Sequence, residues 1–461
     1  MHKIRTVAQV ASEFASPLFD GRKVVQCHGV FDLLHIGHIR HLQEARQLGD
    51  YLVVTLTPDR FVNKGPHRPA FDAATRAEAI AALECVDAVC VNEWPTAVEA
   101  IEQIKPTVFV KGAVKGDGPR DRNGAIDFER RAVESAGGRI VLTDTEFSSA
   151  SALINRHTDI FTPQTRAFLD SFRENYSAVH LVDELAQMQS MRVLVVGESW
   201  VEAGATKAAG LDDHPRERYV GGSLAVANVL SSLCDEVLVL TTGTGEGATE
   251  DFLSKNKSEG VEIEFLASDV TSDTQVEDSL NRLLDRANVV LHSDSRTGFI
   301  STRAKALMRD RASYYAVDLR DDPDTSLDHA REDVEPDHTQ SDLLMTSESQ
   351  TAPLVQRFAF ESECRQTLVM RRDDTALLYD AHERAYVEIP PLPVTEANRV
   401  DELGSREAFF ALAAGAGAKG LDAVALGFIG SVARAAASTQ AGSGRVLDAT
   451  SLYRQIDSLL K

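Results

Sequence analysis

The sequence predicts an α/β protein with two doubly wound domains, each built on a mostly parallel sheet. The first observation is that short β-branched runs alternate with amphipathic stretches over residues 20–155. The second is that this alternation restarts at Met191, after a stretch without strand signals. The third is length, since 461 residues can supply the cores of two or three domains. We expect domains at 1–156 and 191–461, joined by a helical linker at 157–190.

Apolar and β-branched runs predict the individual strands. In the first domain they are Val24-Val25, Tyr51–Leu56, Ala88–Val91, Thr107–Val110 and Arg139–Leu142. Helices are predicted between them, for example at Ala73–Leu83 and Thr96–Ile104. Strands of the second domain are predicted at Met191–Gly197, Glu236–Leu240, Val261–Phe265, Val289–His292, Tyr314–Asp318, Leu343–Thr346 and Thr367–Met370. In such sheets ligands bind beyond the carboxyl ends of the strands.

Composition and net charge disfavour several classes of function. The net charge of −22 lacks the basic footprint of a nucleic-acid-binding protein and disfavours docking on an anionic membrane. The five cysteines are scattered without a C-x-x-C pair, which predicts free thiols in a reducing cytoplasm and no zinc site. The N-terminal residues contain no long apolar segment, so we expect neither a signal peptide nor a membrane span.

The most informative motif follows the first predicted strand. His35 and His38 are three residues apart with Gly37 between them, and a helix-like stretch comes next. A helix N-terminus collects unpaired N–H groups at the positive end of its dipole, so it suits a phosphate. Two imidazoles there can hydrogen-bond phosphate oxygens, which predicts nucleotide chemistry at an α-phosphate. We expect His28 to support the strand and His41 to lie at the surface.

The string G-V-F-D-L-L-H-I-G-H at 29–38 resembles the cytidylyltransferase-like nucleotidyltransferase superfamily. Further blocks at 64–69, 75–87, 106–112 and 146–151 look like the adenylyltransferase half of bifunctional heptose-phosphate kinase/adenylyltransferases. They are also similar to glycerol-3-phosphate cytidylyltransferases. The resemblance implies a Rossmann-like domain that joins a nucleoside monophosphate, from ATP or CTP, to a phosphorylated sugar or polyol and releases pyrophosphate. Mg²⁺ would enter with the nucleotide, without a dedicated metal site in the protein.

The same resemblance implies roles for individual residues. His35 and His38 would contact the nucleotide phosphates and stabilise the transition state. Lys64 and Arg76 would be cations near the phosphates of one or both substrates. A further set would shape or line the nucleotide site: Gly29, Val30, Phe31, Asp32, Gly37, Lys111, Ser148 and Ser149. Ala150 stands where relatives commonly carry a threonine.

The second domain resembles the ribokinase-type (PfkB) carbohydrate kinases more faintly. The resemblance rests on Gly221 and Gly222, on Asn228, and on the segment 400–410. Relatives end their site with G-A-G-D, whose aspartate is the base; here Glu407 closes the corresponding G-S-R-E. Its carboxylate is one methylene further out, and a misplacement of about 1 Å can cost roughly 100-fold in rate. These changes favour an altered or inactive kinase, and the ribokinase-like fold suggests a homodimer by analogy.

Several alternatives stay open at the level of sequence. ATP with a heptose-like sugar phosphate, for glycan precursor synthesis, is the favoured reaction, and a CTP-dependent polyol-phosphate cytidylyltransferase is the second. The C-terminal half is either an active sugar kinase in a bifunctional enzyme or a non-catalytic binding or dimerisation module. The H-I-G-H string also occurs in class I aminoacyl-tRNA synthetases, but the sequence lacks a K-M-S-K-S-like loop and an evident basic tRNA-binding region.

Overall fold

Two α/β units make up the chain, one from Met1–Ile160 with Tyr453–Lys461 and the other from Phe161–Leu452. The computed structural model describes residues 3–16, 19, 21–62, 69–112, 125–143, 161–203, 218–244, 250–266, 273–295, 299–320, 341–347, 364–371, 373–392, 404–438 and 447–461. Each unit is built on a largely parallel sheet, which confirms the predicted fold class. Within the described ranges, no helix has the length and apolar character needed to cross a bilayer.

The first unit has a five-stranded parallel sheet in the order β3-β2-β1-β4-β5. Its strands are β1 Val24–Gly29, β2 Tyr51–Leu56, β3 Ala88–Val91, β4 Val108–Gly112 and β5 Arg139–Thr143. Its helices are α1 Val7–Phe14, α2 Ile36–Arg46, α3 Ala73–Ala81, α4 Val98–Ile104 and α5 Ala125–Ser135, with a 3₁₀ turn at Asp59–Phe61. The central strands β1 and β2 are buried along most of their length, as expected for a parallel sheet that is covered on both faces.

Local capping explains where these helices begin and end. Thr6 and Gln9 form a capping box at α1, a helix that the sequence patterns did not predict. Asp72 caps α3 by accepting a hydrogen bond from the Thr75 N–H at 2.7 Å. Helix α4 ends at Lys105, which adopts the left-handed conformation just before Pro106.

The second unit contains a nine-stranded sheet and a separate three-stranded sheet. The large sheet has the order β11-β9-β6-β12-β13-β14-β15-β16-β17. Strand β16 pairs antiparallel with both of its neighbours, β15 and β17. Its strands are β6 Arg192–Gly197, β9 Glu236–Thr241, β11 Val261–Phe265, β12 Val289–Asp294, β13 Tyr314–Leu319, β14 Leu343–Ser347, β15 Gln366–Met370, β16 Ala376–Asp380 and β17 Ala385–Ile389. The small sheet consists of β10 Gly243–Thr244, β7 Ser199–Ala203 and β8 Arg218–Gly222.

The helices of this unit include two in the stretch that the sequence predicted as a linker. They are α6 Pro163–Asn175 and α7 Ala178–Ala186, followed in chain order by α8 Ser223–Leu230, α9 Glu250–Lys255, α10 Asp273–Leu284, α11 Thr302–Arg311, α12 Ser405–Ala418 and α13 Ala423–Ser438, with a 3₁₀ turn at Gln187–Ser190. The last helix, α14 Ala449–Leu459, lies mostly in the C-terminal segment that belongs to the first unit. Phe172 packs against Phe428 with ring centroids 4.3 Å apart. The Tyr176 hydroxyl donates to Asp422 at 2.7 Å. Helix α6 is therefore integrated into the second unit.

Strand order marks the crevice in each sheet where a ligand can enter. In the first unit β1 lies between β2 and β4, so the chain turns away from β1 in both directions along the sheet. In the second unit β6 lies between β9 and β12 in the same way. Such switch points at the carboxyl ends of parallel strands are the usual ligand sites of doubly wound folds. The His35–His38 motif follows β1 at one of these points.

Candidate functional site: the histidine turn after strand β1

The predicted motif lies at the N-terminus of α2. His35 caps this helix in an extended conformation, and its Nδ1 accepts a hydrogen bond from the Gly37 N–H at 3.1 Å. That bond uses the Nδ1 lone pair, which assigns the ring proton to Nε2. Partial burial lowers the pKa of His35, so its imidazole is neutral at pH 7. His35 therefore presents a neutral Nε2–H donor.

His35 and His38 lie together. Their rings stack with centroids 3.9 Å apart and an interplanar angle of 30°. Both side chains are partly exposed, in contrast to the buried helix residues Leu42 and Ala45. Because the pair lies on the first turn of α2, the unpaired N–H groups of the helix end are close by. The structure thus brings two imidazoles and a helix N-terminus to one edge of the sheet.

The loop between β1 and α2 has an unusual backbone. Phe31 has a φ of +48°, a left-handed conformation that is uncommon for a bulky residue. Its ring packs edge-on against His38 at 5.2 Å and lies over Gly29. A Cβ on Gly29 would come within 3.0 Å of that ring, which explains the glycine. The buried Asp32 carboxylate accepts the Ala70 N–H at 2.6 Å.

Two more histidines lie behind the turn. His28 Nδ1 is 2.9 Å from the Thr55 hydroxyl and its Nε2 is 3.2 Å from the Thr57 hydroxyl. Burial, aided by the charge of Lys111, lowers the pKa of His28 to about 3. The expectation that His41 lies at the surface is wrong: it is 5% exposed, and its Nδ1 is 2.9 Å from the Thr143 hydroxyl. It lies on the face of α2 that packs on the sheet.

Arg76 differs most from its predicted environment. The sequence suggested a cation near the phosphates, but the residue is 2% exposed and surrounded by protein oxygens. Its guanidinium donates to the carbonyls of Val30, Phe71 and Thr57, the last two at 2.9 Å. It also pairs with the exposed Asp59 carboxylate at 2.6 Å. Sequence patterns gave no sign of these acceptors, because they come from three separate segments.

Lys111 lies at the carboxyl end of β4, the strand next to β1. Its ammonium pairs with Glu129 of α5, whose side chain is 8% exposed. Its charge is close enough to His28 to help lower the pKa of that ring. Lys111 therefore faces the same edge of the sheet as the histidine turn, and Glu129 is a partner that sequence reasoning missed.

Three predicted site residues, Lys64, Ser148 and Ser149, lie outside the described residues. Gly29, Val30 and Gly37 all belong to the described turn. Across the part of the chain that the structure describes, no three His, Cys, Asp or Glu side chains are grouped so that they could hold a metal ion.

In the second unit, the predicted base Glu407 is engaged by other residues. It is 3% exposed, lies in the first turn of α12, and accepts the Gly222 N–H at 3.4 Å. Arg320 donates to the same Oε1 at 2.9 Å and stacks over Trp200 at 4.6 Å. The fully buried Asp318 pairs with both Arg320 and Arg406. Two partly buried guanidinium groups and two buried carboxylates thus form one cluster.

The other predicted residues of this unit have structural explanations. A Cβ on Gly221 would come within 2.2 Å of Trp200 Nε1, and Gly222 has a φ of +71°. The two glycines therefore make room for the indole of the neighbouring strand. The Asn228 amide donates to the Asn256 carbonyl at 3.1 Å and accepts the Ser258 N–H at 2.8 Å, so it secures that loop.

The first unit has the geometry of a nucleotide-binding α/β domain of the nucleotidyltransferase class. Its parallel sheet has a switch point at β1, with stacked histidines at the following helix end. Residues 27–156 match the family model described as cytidylyltransferase-like. This part of the chain is a cytidylyltransferase-like domain, which confirms the resemblance.

The chain is also similar to a curated relative over part of its length. It is 41% identical over 142 residues to the "Bifunctional protein HldE" of Trichlorobacter lovleyi, which covers 30% of this chain and 28% of that protein. The chain thus spans well under a third of the length of the relative that it matches. No whole-protein activity follows from a match of this extent.

Two solved structures are similar to more than half of the chain. The microbiome-derived acarbose kinase Mak1 has a TM-score of 0.45 at 16% identity, covering 58% of this chain and 99% of that one. The Arabidopsis thaliana ribokinase complexed with ribose and ATP has a TM-score of 0.42 at 14% identity, covering 59% and 99%.

Proposed function

We propose that the first unit is a nucleotidyltransferase that transfers a nucleoside monophosphate to a phosphorylated sugar. An oxygen of the sugar phosphate forms a bond to the α-phosphorus, while the bond from that phosphorus to the bridging oxygen breaks and pyrophosphate leaves. The acceptor phosphate is already ionised, so the protein needs no general base. The observation that carries the proposal is the stacked His35–His38 pair at the N-terminus of α2.

The histidines stabilise the negative charge that develops on the phosphate oxygens during transfer. In the proposal His35 donates its Nε2–H to an oxygen of the triphosphate, and His38, which lies beside it on the same turn of α2, donates to a second phosphate oxygen. Donors fixed in advance at such a position typically contribute about 10²- to 10³-fold in rate. Lys111, at the adjacent strand end, adds positive charge at the same edge. Lys64, Ser148 and Ser149 remain proposed phosphate contacts.

The favoured substrates are ATP and a heptose-like sugar phosphate. The similarity to bifunctional HldE supports this pair over CTP with a polyol phosphate. Mg²⁺ is expected to enter with the triphosphate, and we assign no step to a protein-held metal. A cytoplasmic homodimer that binds no nucleic acid remains a prediction.

Pyrophosphate release tests the transferase. The full chain would be supplied with Mg²⁺, each nucleoside triphosphate, and a panel of sugar and polyol phosphates. We expect release with one nucleotide and one acceptor, and a loss of 100-fold or more in the His38→Ala variant, on the order expected for one removed donor. Arg40→Ala, an exposed neighbour on α2, is the matched control. Turnover by His38→Ala close to that of the unsubstituted chain would refute the assignment.

For the second unit we propose a non-catalytic binding or assembly module. The observation that favours it is the pairing of Glu407 with Arg320, which occupies the carboxylate that a sugar kinase would use as its base. An active kinase is the alternative. Consumption of ATP with a panel of sugars decides between them: sugar-dependent turnover that Glu407→Gln abolishes would establish the kinase, and its absence supports the module.

A further inference from the structure

Arg76 is the point at which three separate segments of the first unit meet. Val30 belongs to the loop that carries the histidines, Thr57 follows β2, and Phe71 precedes α3. The carbonyls of all three accept hydrogen bonds from one guanidinium that is 2% exposed. A planar fork with five donors can serve several acceptors at once, whereas a lysine is a single point charge.

Asp32 provides a second anchor for the loop between β1 and α2. Asp32 accepts the N–H groups of Ala70 and Phe71, so this carboxylate ties the loop to the segment before α3. Phe31, between Val30 and Asp32, holds the strained left-handed conformation and packs on His38. A strained backbone persists only where its surroundings over-determine it. The Arg76 and Asp32 contacts supply that constraint.

We propose that Arg76 is a positioning residue, which fixes the loop that places His35 and His38, and not a cation that binds the substrate phosphates. This inference rests on the proposed nucleotidyl transfer. Loss of the guanidinium fork frees the Val30 carbonyl and relaxes Phe31, so that the histidine pair shifts. A displacement of about 1 Å can cost roughly 100-fold in rate. Affinity for the nucleotide depends less on Arg76, because its donors are already engaged by protein oxygens.

The chain offers a matched pair of variants for this proposal. Asp59 and Asp72 each accept one N–H at the start of α3, from Ala73 at 3.0 Å and Thr75 at 2.7 Å. Of the two carboxylates, only that of Asp59 accepts a hydrogen bond from the Arg76 guanidinium. The contact of Asp72 with the Arg76 N–H is made by its backbone carbonyl, which alanine retains. Asp59→Ala therefore removes a helix contact together with a guanidinium contact, whereas Asp72→Ala removes a helix contact alone.

The test combines nuclear magnetic resonance of the imidazole groups with steady-state kinetics. We expect Arg76→Lys to move the His35 and His38 resonances in the ligand-free protein, to lower kcat about 100-fold, and to change the nucleotide KM by less than about threefold. Asp59→Ala shifts the same resonances to a smaller extent. Asp72→Ala lowers the melting temperature but leaves the resonances and kcat in place.

Two results would overturn the proposal. Unchanged ligand-free resonances with a raised nucleotide KM would make Arg76 a phosphate contact, and unchanged resonances with normal kcat would make it a brace for the fold alone. If Arg76→Lys does not fold, the comparison of Asp59→Ala with Asp72→Ala decides in the same way. Absence of pyrophosphate release by the unsubstituted chain would refute the proposed function, while the resonances would still decide the role of Arg76.

Discussion

The buried cluster around Glu407 predicts a large and selective loss of stability when Arg320 is replaced. Arg320 and Glu407 are 2.9 Å apart, and their side chains are 15% and 4% exposed. At an effective dielectric constant of 20, this distance corresponds to about 6 kcal/mol of Coulomb attraction. The cost of desolvating both groups offsets much of it, so a replacement of the pair can be nearly neutral. Removal of one partner alone leaves a buried carboxylate short of a cation.

We therefore expect Arg320→Met to lower the free energy of unfolding of the second unit by about 3–5 kcal/mol. The contact of Arg320 with the Trp200 ring adds up to about 1 kcal/mol to this loss. With a urea dependence of about 3 kcal/mol per molar, the midpoint falls by about 1 M or more. The double variant Arg320→Met/Glu407→Leu should recover much of the loss, because it leaves no unpaired charge at this position.

Trp200 makes the measurement specific to the second unit. The chain has two tryptophans, so a Trp94→Phe background leaves Trp200 as the sole reporter in urea unfolding. Arg303→Met is the control, since its pair with Glu277 is at the surface, with Arg303 82% exposed, and is worth at most about 1 kcal/mol. A shift below about 0.3 M for Arg320→Met, or an equal shift for Arg303→Met, would refute the argument.

Two further predictions concern pH and backbone conformation. The pKa of His41 lies at about 4, below its ordinary 6.5, so its contribution to stability is present above pH 6.5 and is lost as pH falls towards 4. His41→Gln should flatten that part of a thermal-unfolding profile, and an unchanged slope would contradict the assignment. Gly222→Ala should destabilise the second unit by more than about 1 kcal/mol in the same urea assay, because φ is +71° and a Cβ would come within 2.3 Å of the Glu198 carbonyl; a neutral effect would show that the turn can relax.

The sheets were predictable from the sequence because most of their strands are buried on both faces. The structure places β2 at Tyr51–Leu56 and β3 at Ala88–Val91, the ranges that the apolar runs predicted. The small sheet of β7, β8 and β10 was missed, as was the hairpin of β16 and β17. The exposed and intermediate positions of β17 break the continuous apolar pattern, so its strand signal is weak.

The candidate site was predictable where its residues are close in sequence. His35, Gly37 and His38 fall within four positions, so local geometry alone brings them to one helix end. The contacts of Arg76 and Glu407 depend on residues far along the chain, with Val30 46 positions from Arg76 and Arg320 87 positions from Glu407. Charge in a motif indicates a possible phosphate contact, but only the tertiary fold determines whether protein oxygens already engage that charge.

The two units differ in whether protein atoms already engage the polar groups of their candidate sites. The described histidine pair of the first unit is partly exposed, and the neutral His35 ring keeps an Nε2–H donor directed away from its own helix cap. In the second unit both acidic groups of the cluster are buried and paired with arginines. To act as a base, Glu407 would first have to lose its partner Arg320, at a cost comparable to that predicted for Arg320→Met. The energetics therefore favour chemistry at the histidine turn and a structural or binding role for the cluster.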